Sequence, residues 1–374
     1  MTETTLAAIQ ASWQLPPHEE WIKSTGVPIH RGYYIPDLRT IELGYWKERE
    51  CNAAFLLLEG QERVCEARVT EIPPRASLPP LKFALDELVY VLQGRGNTRV
   101  WDGKGTETSF EWGPHSLFRL PRHHFHQFNN LHGSEPVRLL HHNYLPCAMA
   151  AIPTPEVFFN NDRWELDIQI GEGLYAEARA VVTDNVGHGE QLRGLSPTWF
   201  ANFFPDLAIW DRVEDKNRNG RDPRRANVRL FFPDSPLSAH MPIFSQGTYK
   251  AAHRHGPGFV IVIPAGEGFS IMFEEGKEKV ICPWQEGSVF VPPNLWFHHH
   301  FNVGPGPMRY LALHPPGAFA RFELVGSPDD IIPYHREDPS VRELFESALA
   351  KRGLRSQMPD QAYTEPGFKW GAAD

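Results

Sequence analysis

Short apolar runs broken by turn residues dominate the chain. The segments LDELVYVLQGRGNTRVW, SLFRLP, VRLLHH, GFVIVIPAGEGFSIMF, SVFVPP and MRYLAL are rich in Val, Ile, Phe and Tyr and are bounded by Gly, Pro, Asn or Asp. Runs of this length and composition read as strands, and their spacing suits an antiparallel sandwich or barrel. A helical period shows only towards the ends. Leu6, Ile9 and Trp13 form one stripe. In DPSVRELFESALAKRG, Asp338 caps, Pro339 starts and Gly353 stops a helix that puts Val341, Leu344, Phe345 and Leu349 on one face. The expected class is all-β with short helices at the N- and C-termini, and the final QAYTEPGFKWGAAD reads as irregular.

The strand pattern repeats. Displaced by 172 positions, Gly94, Gly96, Trp112, Ser116, Phe118, Pro121, Phe125, His126 and Asn130 fall on Gly266, Gly268, Trp284, Ser288, Phe290, Pro293, Phe297, His298 and Asn302 without a gap. Pro36-Asp37-Leu38 recurs as Pro205-Asp206-Leu207 at a slightly shorter offset. Two copies of one β-rich domain are expected, over 36–146 and 205–315, with 147–204 joining them. As domains this gives 1–150 for the N-terminal copy and its helical leader, 151–334 for the connection and second copy, and 335–374 for a C-terminal helix and tail. A chain of 374 residues is also longer than the roughly 250–300 over which one core keeps growing.

Composition narrows the partners. The formal net charge of −9 repels polyanions, so nucleic acid is not an expected partner. The basic stretch 216–225 is broken by Gly, Pro, Asn and Asp, holds no aromatic residue, and reads as a solvated loop. No run of about eighteen apolar residues and no basic leader is present, so neither a membrane nor export is expected, and the location is taken as cytoplasmic. Cys51, Cys65, Cys147 and Cys282 lie far apart without a CxxC pair, and read as reduced, buried small residues.

The candidate chemistry lies in the second copy. AAHRHGPGFVIVIPAGEGF places His253 and His255 two apart, so on a strand both imidazoles share a face and Arg254 points away. PPNLWFHHHFN adds His298, His299 and His300. His298 and His300 share strand parity and either can complete a three-nitrogen face. The His298-x3-Asn302 spacing favours His298, leaving His300 facing the substrate or supporting a ligand, and His299 outward. Three protein nitrogens leave positions open, as a catalytic metal requires. Asn302, Gln246 or a backbone carbonyl can take the other N–H of a ligating histidine. Tyr249 is a candidate donor to a metal-bound oxygen, with packing at the barrel edge as the alternative. Arg229 and Arg309 are candidate carboxylate clamps, with solvated or ion-paired roles as the alternative. Phe259 packs or lines the pocket, at the place where the first copy has Glu87. Without a carboxylate the whole double charge stays on a divalent ion, which favours a small, chelating organic anion as substrate.

The first copy lacks most of this set. Leu81 and Phe83 stand where His253 and His255 stand, which leaves Glu87 and His126. Two ligands are too few, so this copy is expected to be metal-free, with Glu87 paired to His126 or to Lys82.

Together, His253-x-His255, Gly266, Gly287-x5-Pro293 and His298-x3-Asn302 resemble the two short motifs of the cupin superfamily, and the two-copy order is similar to that of bicupins. The resemblance covers 36–146 and 205–315. It implies two tandem jelly-roll β-barrels, with a metal held by two histidines and a glutamate of the first motif and a histidine of the second. Among bicupins, the ring-cleaving dioxygenases of gentisate, salicylate and 1-hydroxy-2-naphthoate are similar. They imply Fe(II) on His253, His255 and His298, O2 as co-substrate, and opening of a C–C bond in a small aromatic hydroxy acid. Two other classes stay open: an isomerase, lyase or decarboxylase using Mn, Ni, Co or Zn without O2, and a non-catalytic binding or storage bicupin. The resemblance also implies a homo-oligomer.

Overall fold

The computed structural model describes residues 16–162, 170–171, 173–176, 178–181, 198–208, 226–316, 328–366 and 368. Leu6, Ile9, Trp13 and the basic stretch 216–225 lie outside them.

Each half is built on eight strands in two facing sheets, extended by further strands that include Cys51–Leu58 beside Glu66–Ile72 and Ala226–Phe231 beside Ser238–Phe244. In the first half, one sheet runs Glu66–Ile72, Val137–Asn143, Glu87–Gln93, Leu117–Leu120, and the other Leu81–Lys82, Phe125–Asn130, Gly96–Trp101, Glu107–Trp112. The second half has Ser238–Phe244, Met308–His314, Val260–Ala265, Val289–Phe290 in one sheet and Tyr249–His253, Phe297–Asn302, Gly268–Phe273, Val280–Trp284 in the other. Counted along the chain, both halves have the strand order 1-8-3-6 over 2-7-4-5, which is the jelly roll. The fold is all-β: two tandem jelly-roll barrels with short helices at Pro17–Ser24, Leu145–Ala151, Pro339–Ala350 and Asp360–Thr364. The last of these corrects the reading of the tail from Gln361 as wholly irregular.

The repeated residues have physical causes. A Cβ on Gly96 or Gly268 would collide with the carbonyl of Asn129 or Phe301 and with the indole of Trp112 or Trp284. Those indoles donate to Thr98 Oγ1 at 2.8 Å and Ser270 Oγ at 3.0 Å.

The repeated Pro-Asp-Leu marks a strand exchange. Tyr34–Ile35 pairs with Val289–Phe290 of the second barrel, and Phe203–Phe204 pairs with Leu117–Leu120 of the first. Ser288 Oγ donates to the Pro36 carbonyl, and Ser116 Oγ to that of Pro205 at 2.6 Å. Each barrel thus borrows a strand from the leader of the other. A shared core, including Leu56, Val69, Tyr90, Leu92, Leu230, Met241, Val262 and Leu313, fills the space between them.

The C-terminal helix starts and stops as its sequence dictates. Asp338 Oδ1 accepts from Ser340 N at 3.0 Å, Pro339 opens the helix, and Gly353 follows it with φ +70°. Val341, Phe345 and Leu349 bury against Tyr249, Phe269 and Phe301, the outer side of the strands that carry the histidines. Among the described residues no helix is long and apolar enough to cross a membrane.

Candidate metal centre

Tyr249–His253 and Phe297–Asn302 pair antiparallel, with Tyr249 opposite Phe301, Lys250 opposite His300 and His253 opposite His298. The register shifts between Lys250 and His253. Two residues there oppose one, a bulge, so Lys250 and His253 share a face although three positions separate them. On the partner strand, alternation sends His298 and His300 into the barrel and His299 out towards the C-terminal segment. His299 Nε2 meets Glu337 Oε1 at 3.2 Å there, and Arg254 turns out to Asp330 at 2.9 Å.

The inward rings cluster. His298 lies 4.2 Å from His253, 4.7 Å from His255 and 5.4 Å from His300, centroid to centroid. His253, His298 and His300 each offer a ligand atom within 4.8 Å of the others. His255 sits beside this set, its ring 4.2 Å from Phe259. The expected face of His253, His255 and His298 is therefore brought together as four rings, with His300 in the tightest triad.

One edge of every ring is fixed. Nδ1 of His253, His255 and His298 lies 3.2, 2.8 and 3.0 Å from the carbonyls of Ala251, Gly256 and Trp296, and Nδ1 of His300 lies 2.9 Å from Ser270 Oγ. An N–H given to a carbonyl leaves the lone pair on Nε2, the arrangement a ligating imidazole needs. His298 Nε2 is buried and has no hydrogen-bond partner among the described residues. Burial pushes His253 and His298 well below the ordinary histidine range and His255 down to about 4. Lys250 adds to the effect on His253, and neighbouring imidazoles to that on His298. Neutral imidazole is the form that binds metal, and a nitrogen donor set of this kind suits Fe, Mn, Co, Ni or Zn. The residues present fit such an ion.

Other candidates fall differently. Tyr249 does not face the cavity: its hydroxyl donates to Glu337 Oε2 at 2.7 Å and its ring stacks on Phe301 at 4.6 Å, because Tyr249 and Lys250 alternate. Asn302 supports a turn, donating to the Phe244 and Gly306 carbonyls and accepting from Gly304 N, so it holds no histidine. Gln246 lies in the turn before Tyr249–His253, and carbonyls and a serine do the work expected of it. Arg309 is next to Tyr310, whose ring is 4.7 Å from His300, so alternation takes Arg309 to the other face. Arg229 pairs in register with His240 and shares its inward face. Phe259 lines the cavity, 4.7 Å from His314.

Lys250, His240, His314 and Tyr310 were not legible as site residues. Lys250 Nζ stands 2.7 Å from His253 Nε2. His240 Nδ1 and His314 Nε2 are 2.6 Å apart, with Ser238 Oγ 3.0 Å from His314 Nδ1. The repeat held a signal, since at the 172-residue displacement His240 and His314 fall on Arg68 and His142, which are polar as well.

The first barrel holds ions of its own. Arg68 donates to Glu66 and, at 2.6 Å, to Glu87; His141 Nδ1 lies 2.8 Å from Glu87 Oε2, and Asn143 Nδ2 reaches both carboxylates. His18 of the first helix adds a contact of 2.7 Å to Glu66. Burial pushes the Glu87 carboxyl up, but Arg68 and His141 outweigh it and hold it well below the usual range. The expected partners of Glu87 are corrected: it binds neither His126 nor Lys82. Lys82 lies over the Phe125 ring at 5.5 Å, while burial takes His126 down to about 3.

No family model matches the sequence, and no curated protein matches it. Solved structures do. The chain is similar to oxalate decarboxylase of Bacillus subtilis, studied for its Mn(II) centres (14% identity, 76% of this chain and 77% of that chain, TM-score 0.46). It is similar to vicilin of hazelnut, Corylus avellana (14%, 89% and 97%, 0.47). It is also similar to a salicylate 1,2-dioxygenase of Pseudaminobacter salicylatoxidans (17%, 67% and 71%, 0.47). These are likenesses of shape, and it is the chain's own strand order that makes it a tandem jelly roll.

Proposed function

We propose that the second barrel is the mononuclear metal centre of a bicupin-type enzyme, with His253, His298 and His300 holding one divalent ion and His255 beside them. The observation that carries this reading is His298 Nε2, a buried nitrogen without a hydrogen-bond partner among the described residues, amid three other imidazoles with fixed Nδ1 edges. Leaving such an atom unsatisfied costs about 1–3 kcal/mol, which an ion at this place offsets. Our reading of the reaction is an Fe(II) dioxygenase that opens a C–C bond of a small hydroxy acid. When bound, iron supplies O2 activation and a Lewis acid for the substrate's oxygens. The chain supplies the rest. Phe259 and Tyr310 keep the cavity apolar beside the histidines, the carbonyls of Ala251 and Trp296 hold the rings in place, and Arg229 adds positive charge on the face of His240.

Elemental analysis and oxygen uptake test this. The purified protein is expected to carry stoichiometric iron and to consume O2 with an aromatic hydroxy acid. His298→Ala should lose both, and His299→Ala neither. Metal-dependent turnover that is equal under nitrogen would replace the dioxygenase by an isomerase, lyase or decarboxylase. No retained metal would sink the centre itself.

A further inference from the structure

The Nε2 of His253 has two claimants. Its Nδ1 edge is 3.2 Å from the Ala251 carbonyl, so Nε2 carries the lone pair, and the Lys250 ammonium stands 2.7 Å from it as donor. A metal ion on His253 needs that same lone pair. Resting on the metal reading above, we propose that Lys250 is the anion anchor of this centre: it closes His253 Nε2 while no ion is held, and turns to a substrate carboxylate once the metal takes that nitrogen.

Three features support this. The bulge between Lys250 and His253 exists in the strand that carries the first ligand, and it is what turns Lys250 inward. The four-carbon stem of lysine lets the charge move a few ångströms without moving the backbone, which a guanidinium fork does less freely. Finally, the two cavities differ in sign at matched positions. The first barrel surrounds Arg68 with its own Glu66 and Glu87. The second has Ser238 and Phe259 at those two places and, where the first has the apolar Leu78, it has Lys250. At the matched positions the first copy carries one cation and two acids, and the second carries Lys250 with neutral His240, Ser238 and Phe259. A carboxylate brought by the substrate, lying between metal and ammonium, gains charge-assisted hydrogen bonds. The substrate class is thus a small carboxylate with a second oxygen donor for the ion, and the lysine selects for its negative charge.

The test uses Co(II), whose visible spectrum reports both occupancy and a change of ligands, and two probes of one shape, 2-hydroxybenzoate and the neutral 2-hydroxybenzamide. The Co(II)-loaded wild type is expected to prefer the acid. Lys250→Met should bind Co(II) as tightly as the wild type or more tightly, since the competitor for His253 is gone, yet lose about tenfold or more of the preference for acid over amide. Lys250→Arg should keep most of that preference. Thermal melts of the metal-free variants near that of the wild type show that the fold is intact. Retention of the full acid preference by Lys250→Met overturns the anchor, and so does loss of Co(II) by this variant. Failure of the wild type to take up Co(II) instead overturns the metal reading beneath it.

Discussion

At position 259 a phenyl ring lies 4.2 Å from His255 and 4.7 Å from His314, where the matched residue of the first barrel is Glu87. Phe259→Glu returns a carboxylate to a cavity built for neutral rings. The added carboxylate meets the positive charge of Lys250 and Arg229 there, so the metal-free protein should lose little stability, and divalent metal, gaining a further donor, should raise the midpoint. Urea melts with and without Mn(II) check this, and equal midpoints in both conditions would contradict it. His126 and His142 set a pH dependence. Burial takes them from 6.5 down to about 3 and about 4, so the unfolded chain takes up their protons first. Stability is present above pH 6.5 and is lost as the pH falls from there through about 4 and towards 3. Glu66 and Glu87, held low by Arg68 against the upward push of burial, add loss at the acid end. The melting temperature should therefore drop steadily from pH 7 to pH 4, and a flat profile would show that these histidines are protonated in the folded state.

The element that positions the site is the bulged strand Tyr249–His253, held from behind. Glu337 Oε2 accepts from the Tyr249 hydroxyl at 2.7 Å, and its Oε1 is 3.3 Å from Ala252 N, inside the bulge, and 3.2 Å from His299 Nε2. One buried carboxylate from the C-terminal segment thus collects donors from both strands that carry the cluster. Glu337→Gln keeps the volume but replaces an acceptor oxygen by a donor. Its expected effect is a roughly tenfold weaker Co(II) affinity, the scale seen when a group supporting a ligand is lost, with a modest fall in melting temperature. A spectroscopic Co(II) titration decides, and unchanged affinity would reduce Glu337 to packing.

At the scale of the molecule, the two jelly rolls share a core and exchange a strand, so stability in one supports geometry in the other. His142 of the first barrel lies 3.2 Å from the carbonyl of His314 in the second, one such link. The ion cluster of the first barrel makes this testable. Arg68→Met leaves Glu66 and Glu87 buried beside each other and should cost about 3–5 kcal/mol. Replacing Glu66, Arg68 and Glu87 together by apolar residues of similar volume should cost less than the single change, as chemical denaturation of both variants would show. The reverse order would mean that packing, not uncompensated charge, governs this interior.

Strand-length apolar runs, the 172-residue repeat, the capped C-terminal helix and the inward pair His298 and His300 are written in the sequence, because each follows from a local period or a local turn preference. The paired Pro-Asp-Leu segments were visible as a repeat, yet the exchange they make depends on which sheet edge lies beside them, and that is a property of the closed barrels. Tertiary structure alone decided the site's composition. A bulge breaks the period of two, so Lys250 enters where alternation counted from His253 would have turned it out, and Tyr249, one position on, faces the helix. His240 and His314 meet across strands far apart in sequence, and Glu87 finds Arg68 and His141 rather than the nearer-seeming His126. Spacing along a chain fixes which face a side chain takes only while the strand stays regular; which groups then meet inside a barrel is fixed by how its sheets close.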